Sequence, residues 1–103
     1  MRKEKKEYLN QYLLQEPKIN RLYNMISINP QKRDYYENLI SEALALREEI
    51  EKKINRIDDK VLVEILYNKY IFGRTLEETS YIINYSKRHT ERLHVKALEK
   101  FKI

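Results

Sequence analysis

From Pro30 onward the apolar residues keep a register that few folds can use. Tyr36, Ala43, Ile50 and Ile57 recur at intervals of seven, and Leu39 and Leu46 fill the intermediate positions. Lys53 interrupts the intermediate series, while Ile40 and Ile54 widen the stripe. Two apolar positions per heptad hold one seam of an α-helix against a partner helix. Sustained to about Arg56, the pattern predicts a helix about 40 Å long at ~1.5 Å per residue. Its partner is either a second copy of the chain, paired through Tyr36, Leu39, Ala43, Leu46 and Ile50, or the N-terminal helices of the same chain.

The surrounding sequence also favours helices. One glycine and two prolines in 103 residues leave few places for the chain to turn, and Glu, Lys, Leu and Ile are good helix formers. The expected fold class is all-α. A domain of this size buries a modest share of its surface, so association into a homodimer would add stability. Residues 3–15 read as a first helix with Tyr8, Leu9, Tyr12 and Leu13 on one face. Pro17 is expected to break it, and a second run carries Ile19, Leu22, Tyr23 and Ile26. Asn29 suits a cap and Pro30 a first turn for the long helix.

Downstream, Asp58 or Asp59 can cap a helix from about Lys60 to residue 72, with Val61, Leu62, Ile65, Leu66 and Tyr70 inward. It stops at Gly73, where a left-handed backbone is open to glycine. Thr75 and Glu78 have capping-box spacing and start a two-turn helix to Ile83, whose apolar face is expected to be Leu76, Thr79, Ile82 and Ile83. Asn84 and Tyr85 turn the chain, and Ser86 caps a last helix to about Phe101. The chain therefore divides into residues 1–57, helical and suited to dimerisation or partner binding, and residues 58–103.

Charge is placed unevenly. The formal net charge is +5, yet the first sixty residues are nearly balanced. Residues 86–103 hold six cations (Lys87, Arg88, Arg92, Lys96, Lys100 and Lys102) against Glu91 and Glu99. A two-turn helix, a tight turn and a basic helix form the outline of a helix-turn-helix, in which the second helix offers its outer face to the major groove. Thr90, Leu93, Ala97 and Leu98 are its expected inward positions. Its outward positions are then Lys87, Arg88, Glu91, Arg92 and Lys96. Phosphates would be met by Arg74, Thr75, His89, Lys96 and Lys100.

Residues 57–101 resemble the fourth conserved region of bacterial sigma factors. Tyr70 and Gly73 match the close of that region's first helix, Leu76-Glu77-Glu78 the opening of its bracing helix, and Ala97-Leu98 the end of its recognition-helix stripe; the resemblance implies that Lys87, Arg88, Glu91 and Arg92 meet base edges. The chain departs from the pattern at Thr79-Ser80, where Ile-Ala is usual, and at Thr90, where an aliphatic residue is usual. Nothing upstream resembles the sigma regions that bind the −10 element, so a complete sigma factor is not expected. The whole arrangement also resembles phage-encoded transcription regulators of the ArpU/RinA type, through Tyr70-Ile71-Phe72-Gly73, Tyr85-Ser86-Lys87-Arg88 and His94-Val95-Lys96-Ala97-Leu98. This resemblance implies a regulator that binds double-stranded DNA and activates late genes of a phage or mobile element. A protein-binding sigma mimic or antagonist, acting on RNA polymerase or another regulatory protein, is the alternative.

Other chemistry finds little support. The chain has no cysteine, hence no disulfide frame or thiolate metal site. His89 and His94 project about 140° apart on one helix and cannot share a metal. No cofactor is expected. Neither a nucleophile–base arrangement nor a glycine-rich phosphate loop is present, so enzymatic activity is not expected. Tyr67, Tyr70, Tyr81 and Tyr85 are expected in the core with their hydroxyls at the surface. Glu48, Glu49, Glu51, Asp58 and Asp59 are expected on exposed faces or caps. The basic N-terminus lacks the apolar stretch of a signal peptide, and no apolar window reaches membrane-spanning length. A cytoplasmic protein is the expectation.

Overall fold

The computed structural model describes residues 2–103 and is all-α. Its helices are α1 (Arg2–Ile28), α2 (Arg33–Ile54), α3 (Lys60–Leu66), α4 (Leu76–Ile83) and α5 (Lys87–Lys100). Among the described residues no helix is long and apolar enough to cross a membrane. The molecule measures 53 × 24 × 21 Å, because α1 and α2 form a hairpin that projects well beyond the three shorter helices.

Pro17 does not break α1, which is one helix of 27 residues. A proline inside a helix removes one backbone donor and strands the carbonyl four residues earlier, here that of Leu13. Both Pro17 and Leu13 are exposed, so water can satisfy that carbonyl. The uninterrupted α1 is long enough to cover the whole heptad stripe of α2. Tyr36, Ala43 and Ile50 are buried against it and Leu39 and Leu46 are half-buried. Of the two partners the stripe allowed, the N-terminal helix of the same chain fills it. A heptad pattern records that a helix has a partner and carries no label for whose helix it is.

At the hairpin's tip, Asn29 makes no side-chain cap. Its side-chain oxygen accepts from Gln31 Nε2 at 3.0 Å, and Pro30 opens a short 3₁₀ turn, Pro30–Lys32, ahead of α2. The fixed φ of proline suits that tighter turn as well as a helix start.

Two apolar clusters run along the molecule. The outer one belongs to the hairpin alone and holds Ile19, Leu22, Ile26, Tyr36, Ile40 and Ala43. The inner one draws on both halves of the sequence: Leu9 and Tyr12 of α1, Ile50 and Ile54 of α2, Leu62 and Leu66 of α3, Tyr70, and Ala97, Leu98 and Phe101 around the end of α5. The regions 1–57 and 58–103 therefore share one core. Tyrosine hydroxyls tie its edge. Glu51 accepts from Tyr12 and from Tyr67, both at 3.1 Å, and Glu49 accepts from Tyr8 at 2.9 Å. These two carboxylates, expected to be merely solvated, fasten α2 to its neighbours.

Asp59 caps α3 by accepting from the backbone of Val61 and Leu62. The helix then widens into a π-turn, Tyr67–Ile71, which sequence periodicity does not reveal. Gly73 follows at φ +71°, and a Cβ there would lie 3.3 Å from Leu13 Cδ1. Gly73→Ala is therefore expected to destabilise by about 1–2 kcal/mol through the left-handed backbone alone, with the Leu13 contact adding to it. Pro17→Ala is expected to act in the opposite direction, by up to about 3 kcal/mol, by restoring the missing helix hydrogen bond. Urea midpoints of the two variants check both signs; equal shifts in one direction would contradict the account.

Candidate nucleic-acid interface

The connection from α3 to α5 is built from local hydrogen bonds that set α5 at a fixed angle. Arg74 Nη1 donates to Asn68 Oδ1 at 2.7 Å, and Asn68 Nδ2 donates to the Glu64 carbonyl at 2.7 Å. Arg74 also stacks over the Phe72 ring at 4.9 Å. At the start of α4 the capping box forms in both directions: the Glu78 amide donates to Thr75 Oγ1 and the Thr75 amide to Glu78 Oε1. These bonds to Thr75 hold the Glu78 carboxyl below its usual pKa. Arg74 and Thr75, expected on phosphates, are thus committed in large part to the turn that carries α4.

The turn out of α4 rests on Asn84, the one non-glycine residue of positive φ among those described (φ 61°). Asparagine tolerates this left-handed conformation better than other side chains. Ser86 then caps α5, its Oγ accepting from the His89 amide at 3.1 Å. His89 is exposed and lies against Tyr85 with 5.0 Å between ring centres.

The inner face of α5 is Thr90, His94, Ala97 and Leu98, all buried, with Leu93 half-buried. The inner face of α4 is Thr79 and Ser80, while Leu76 and Ile83 are half-buried and Ile82 is exposed. The departures from the sigma pattern, Thr79, Ser80 and Thr90, are therefore all buried. Each hydroxyl is satisfied by its own helix: Thr79 Oγ1 donates to the Thr75 carbonyl at 2.8 Å, Ser80 Oγ to Glu77 at 2.6 Å, and Thr90 Oγ1 to Ser86 at 2.9 Å. Buried hydroxyls bonded in this way avoid the desolvation cost of an unpaired donor. Tyr70 is buried as expected and Tyr67 half-buried, but Tyr81 and Tyr85 stand exposed and are not core residues.

The outer face of α5 is entirely open. Lys87, Arg88, Glu91, Arg92, Lys96 and Lys100 are all exposed. Among the described residues the side-chain ion pairs are Arg33–Glu37 and Lys53–Glu49, so every α5 cation is left without an ionic partner. Arg88, Glu91, Arg92 and Val95 line a shallow depression of about 410 Å³ on this face. Further along, Lys96 and Lys100 reach a deeper cleft that also contains Arg56 and Lys102. Arg56 joins this cluster through the fold alone, because no local spacing relates residue 56 to the end of α5. No group of acidic, histidine or cysteine side chains that could hold a metal occurs among the described residues.

His94 anchors α5 from below. Its Nε2 lies 2.8 Å from the Tyr70 hydroxyl, and both side chains are buried. Burial, with smaller contributions from Lys69 and Lys6, lowers the His94 pKa to about 4, and burial pushes Tyr70 up to about 12. The folded protein thus keeps a neutral imidazole at a pH where the unfolded chain has already taken up a proton. Stability contributed by this histidine is complete above its ordinary pKa of 6.5 and is lost as pH falls from there towards about 4. Unfolding midpoints in urea should therefore fall between about pH 7 and about pH 5, before most carboxylates titrate. A His94→Gln variant should show a flatter profile over that span; an unchanged slope would remove His94 as the cause. No protein-family model, curated protein or solved structure matches the chain.

Proposed function

We propose that the chain is a sequence-specific DNA-binding regulator of transcription that lays the outer face of α5 in the major groove. The observation that carries this reading is the set of α5 cations, exposed and without ionic partners, on a helix whose opposite face is fixed in the core. Unpaired cations on a rigid helix suit a polyanion, because binding releases condensed counterions and requires no internal ion pair to break. In this reading α4 braces α5 as the first helix of a helix-turn-helix. Lys87, Arg88, Glu91 and Arg92 face base edges, and His89, Lys96 and Lys100 face phosphates.

The resemblance to ArpU/RinA-type regulators supplies the setting: activation of late genes in a phage or mobile element. Since the heptad stripe is filled within the chain, pairing of two chains on a symmetric site would use other surfaces of the hairpin. Tyr81 and Ile82, 75% and 51% exposed at the end of α4, favour a second reading. They offer apolar surface to a protein such as RNA polymerase, as a sigma mimic would. Binding of purified polymerase that survives loss of the α5 cations and fails in Tyr81→Ala would favour that role.

Selection from random duplexes at about 150 mM salt, a condition that suppresses weak nonspecific binding, should enrich a defined site. Arg88→Ala and Arg92→Ala should each reduce discrimination by about 1–3 kcal/mol if the guanidinium meets a guanine edge. Equal weakening on all sequences would assign these arginines to phosphates, and failure to enrich any site would end the proposal.

A further inference from the structure

The positive surface of α5 continues past its base-facing end. Arg88, Arg92, Lys96 and Lys100 are four residues apart, so they form one ladder that drifts by ~40° per step along the exposed side of the helix. The far end of this ladder opens into a cleft of about 480 Å³ between the α2–α3 connection and the end of α5. Arg56 and Lys102 line it together with Lys96 and Lys100.

Two of the three other charged groups in the cleft, Lys53 and Asp59, are accounted for by their own contacts. Lys53 lies 3.5 Å from Glu49 and 4.7 Å above the Tyr8 ring, which holds it in the wall. Asp59 directs Oδ1 at the first amides of α3, where the helix dipole offsets its charge. Asp58 is exposed on the rim and has no bonded partner among the described residues. The end of a helix ordinarily repels anions through its free carbonyls. Here Lys5, reaching across from α1, donates Nζ to the Leu98 carbonyl at 2.8 Å and to that of Glu99 at 3.4 Å. With five cations against Asp58 and Asp59, the lining of the cleft is positive at a place where a bare helix end would be negative.

We propose that this cleft seats the sugar-phosphate backbone of the DNA strand bordering the groove that α5 enters, with Arg56 and Lys102 as phosphate-binding residues beside Lys96 and Lys100. The proposal rests on the reading of α5 as a DNA-facing helix and extends its footprint onto the hairpin. Spacing supports it. Lys100 follows Arg92 by eight residues, about 12 Å of helix rise, and the major groove is about 12 Å wide. A helix with Arg92 over a base edge brings the cleft to the bordering strand. Because Arg56 is fixed to the end of α2, gripping that strand also fixes the angle between hairpin and duplex.

The test uses the full chain, a mixed-sequence duplex and the enriched duplex, over about 50–200 mM salt. Arg56→Ala with Lys102→Ala should weaken both duplexes by the same factor. The slope of log affinity against log salt should shrink by about two, at ~0.9 per phosphate contact. Asp58→Asn should tighten both. All three positions are exposed, and unchanged thermal midpoints would exclude misfolding as the cause. An unaltered salt slope in the double variant, with wild-type binding intact, would overturn the cleft and leave the α5 reading standing. Absence of wild-type binding to any duplex would overturn both.

Discussion

The structure depends on the docking of the last turn of α5 against the base of the hairpin. Ala97, Leu98 and Phe101 are fully buried among side chains from α1, α2 and α3, and Phe101 sits 6.0 Å from the Tyr8 ring, centre to centre. Burying a large apolar side chain is worth about 1.5–3 kcal/mol, and a whole domain has only about 5–15 kcal/mol to lose. Leu98 and Phe101 together are thus a substantial fraction of the total. Releasing α5 would expose Leu9, Tyr12, Ile50 and Ile54 at once, so the helix cannot leave without loosening the hairpin. A surface carried on such a helix is presented rigidly, and binding through it gives up little conformational freedom.

The same docking sorts the charges. Apolar and small polar side chains hold α5 from within, and its lysines and arginines are left outside without ionic partners among the described residues. Away from α5, five acidic side chains are turned to structural work. Glu49 and Glu51 receive tyrosine hydroxyls, Asp59 and Glu78 cap helices, and Glu37 pairs within α2. A moderate net charge of +5 becomes a strongly positive face by this division. The contact between α4 and α5 uses hydroxyls that bond to their own backbones, and such short side chains let the two helices approach closely without stranding a buried donor.

Much of this was legible in the sequence, and the parts that were not have physical causes. Local signals read well: the capping box at Thr75 and Glu78, the Ser86 cap, the Gly73 stop and the outward cations of α5 all depend on residues within one turn of each other. Pro17 misled because its cost depends on whether the stranded carbonyl meets water, which is a property of the assembled surface. Tyr81 and Ile82 misled because α4 spends its two buried positions on Thr79 and Ser80, against the order of hydrophobicity. The heptad stripe gave the correct inward face of α2 but could not say which helix would cover it. Lys5 reaches the end of α5 through hydrogen bonds spanning nearly all of the chain, and Arg56 lines a cleft with residues some forty positions away, beyond any local pattern.

The outer half of the hairpin follows a different logic. Its cluster is only two helices thick, and a short helix pair of that kind is marginal on its own. It is held by continuity with the base, through helices that cross from one cluster to the other. Pro17 lies at that crossing in α1, between Tyr12 in the inner cluster and Ile19 in the outer one. On α2 the crossing falls between Ala43 and Ile50, with half-buried Leu46 between them. The missing hydrogen bond of Pro17 thus falls between the two clusters, where the fewest packing contacts depend on it. A proline at that point costs the helix one bond and leaves both clusters packed, which is why α1 runs through it unbroken.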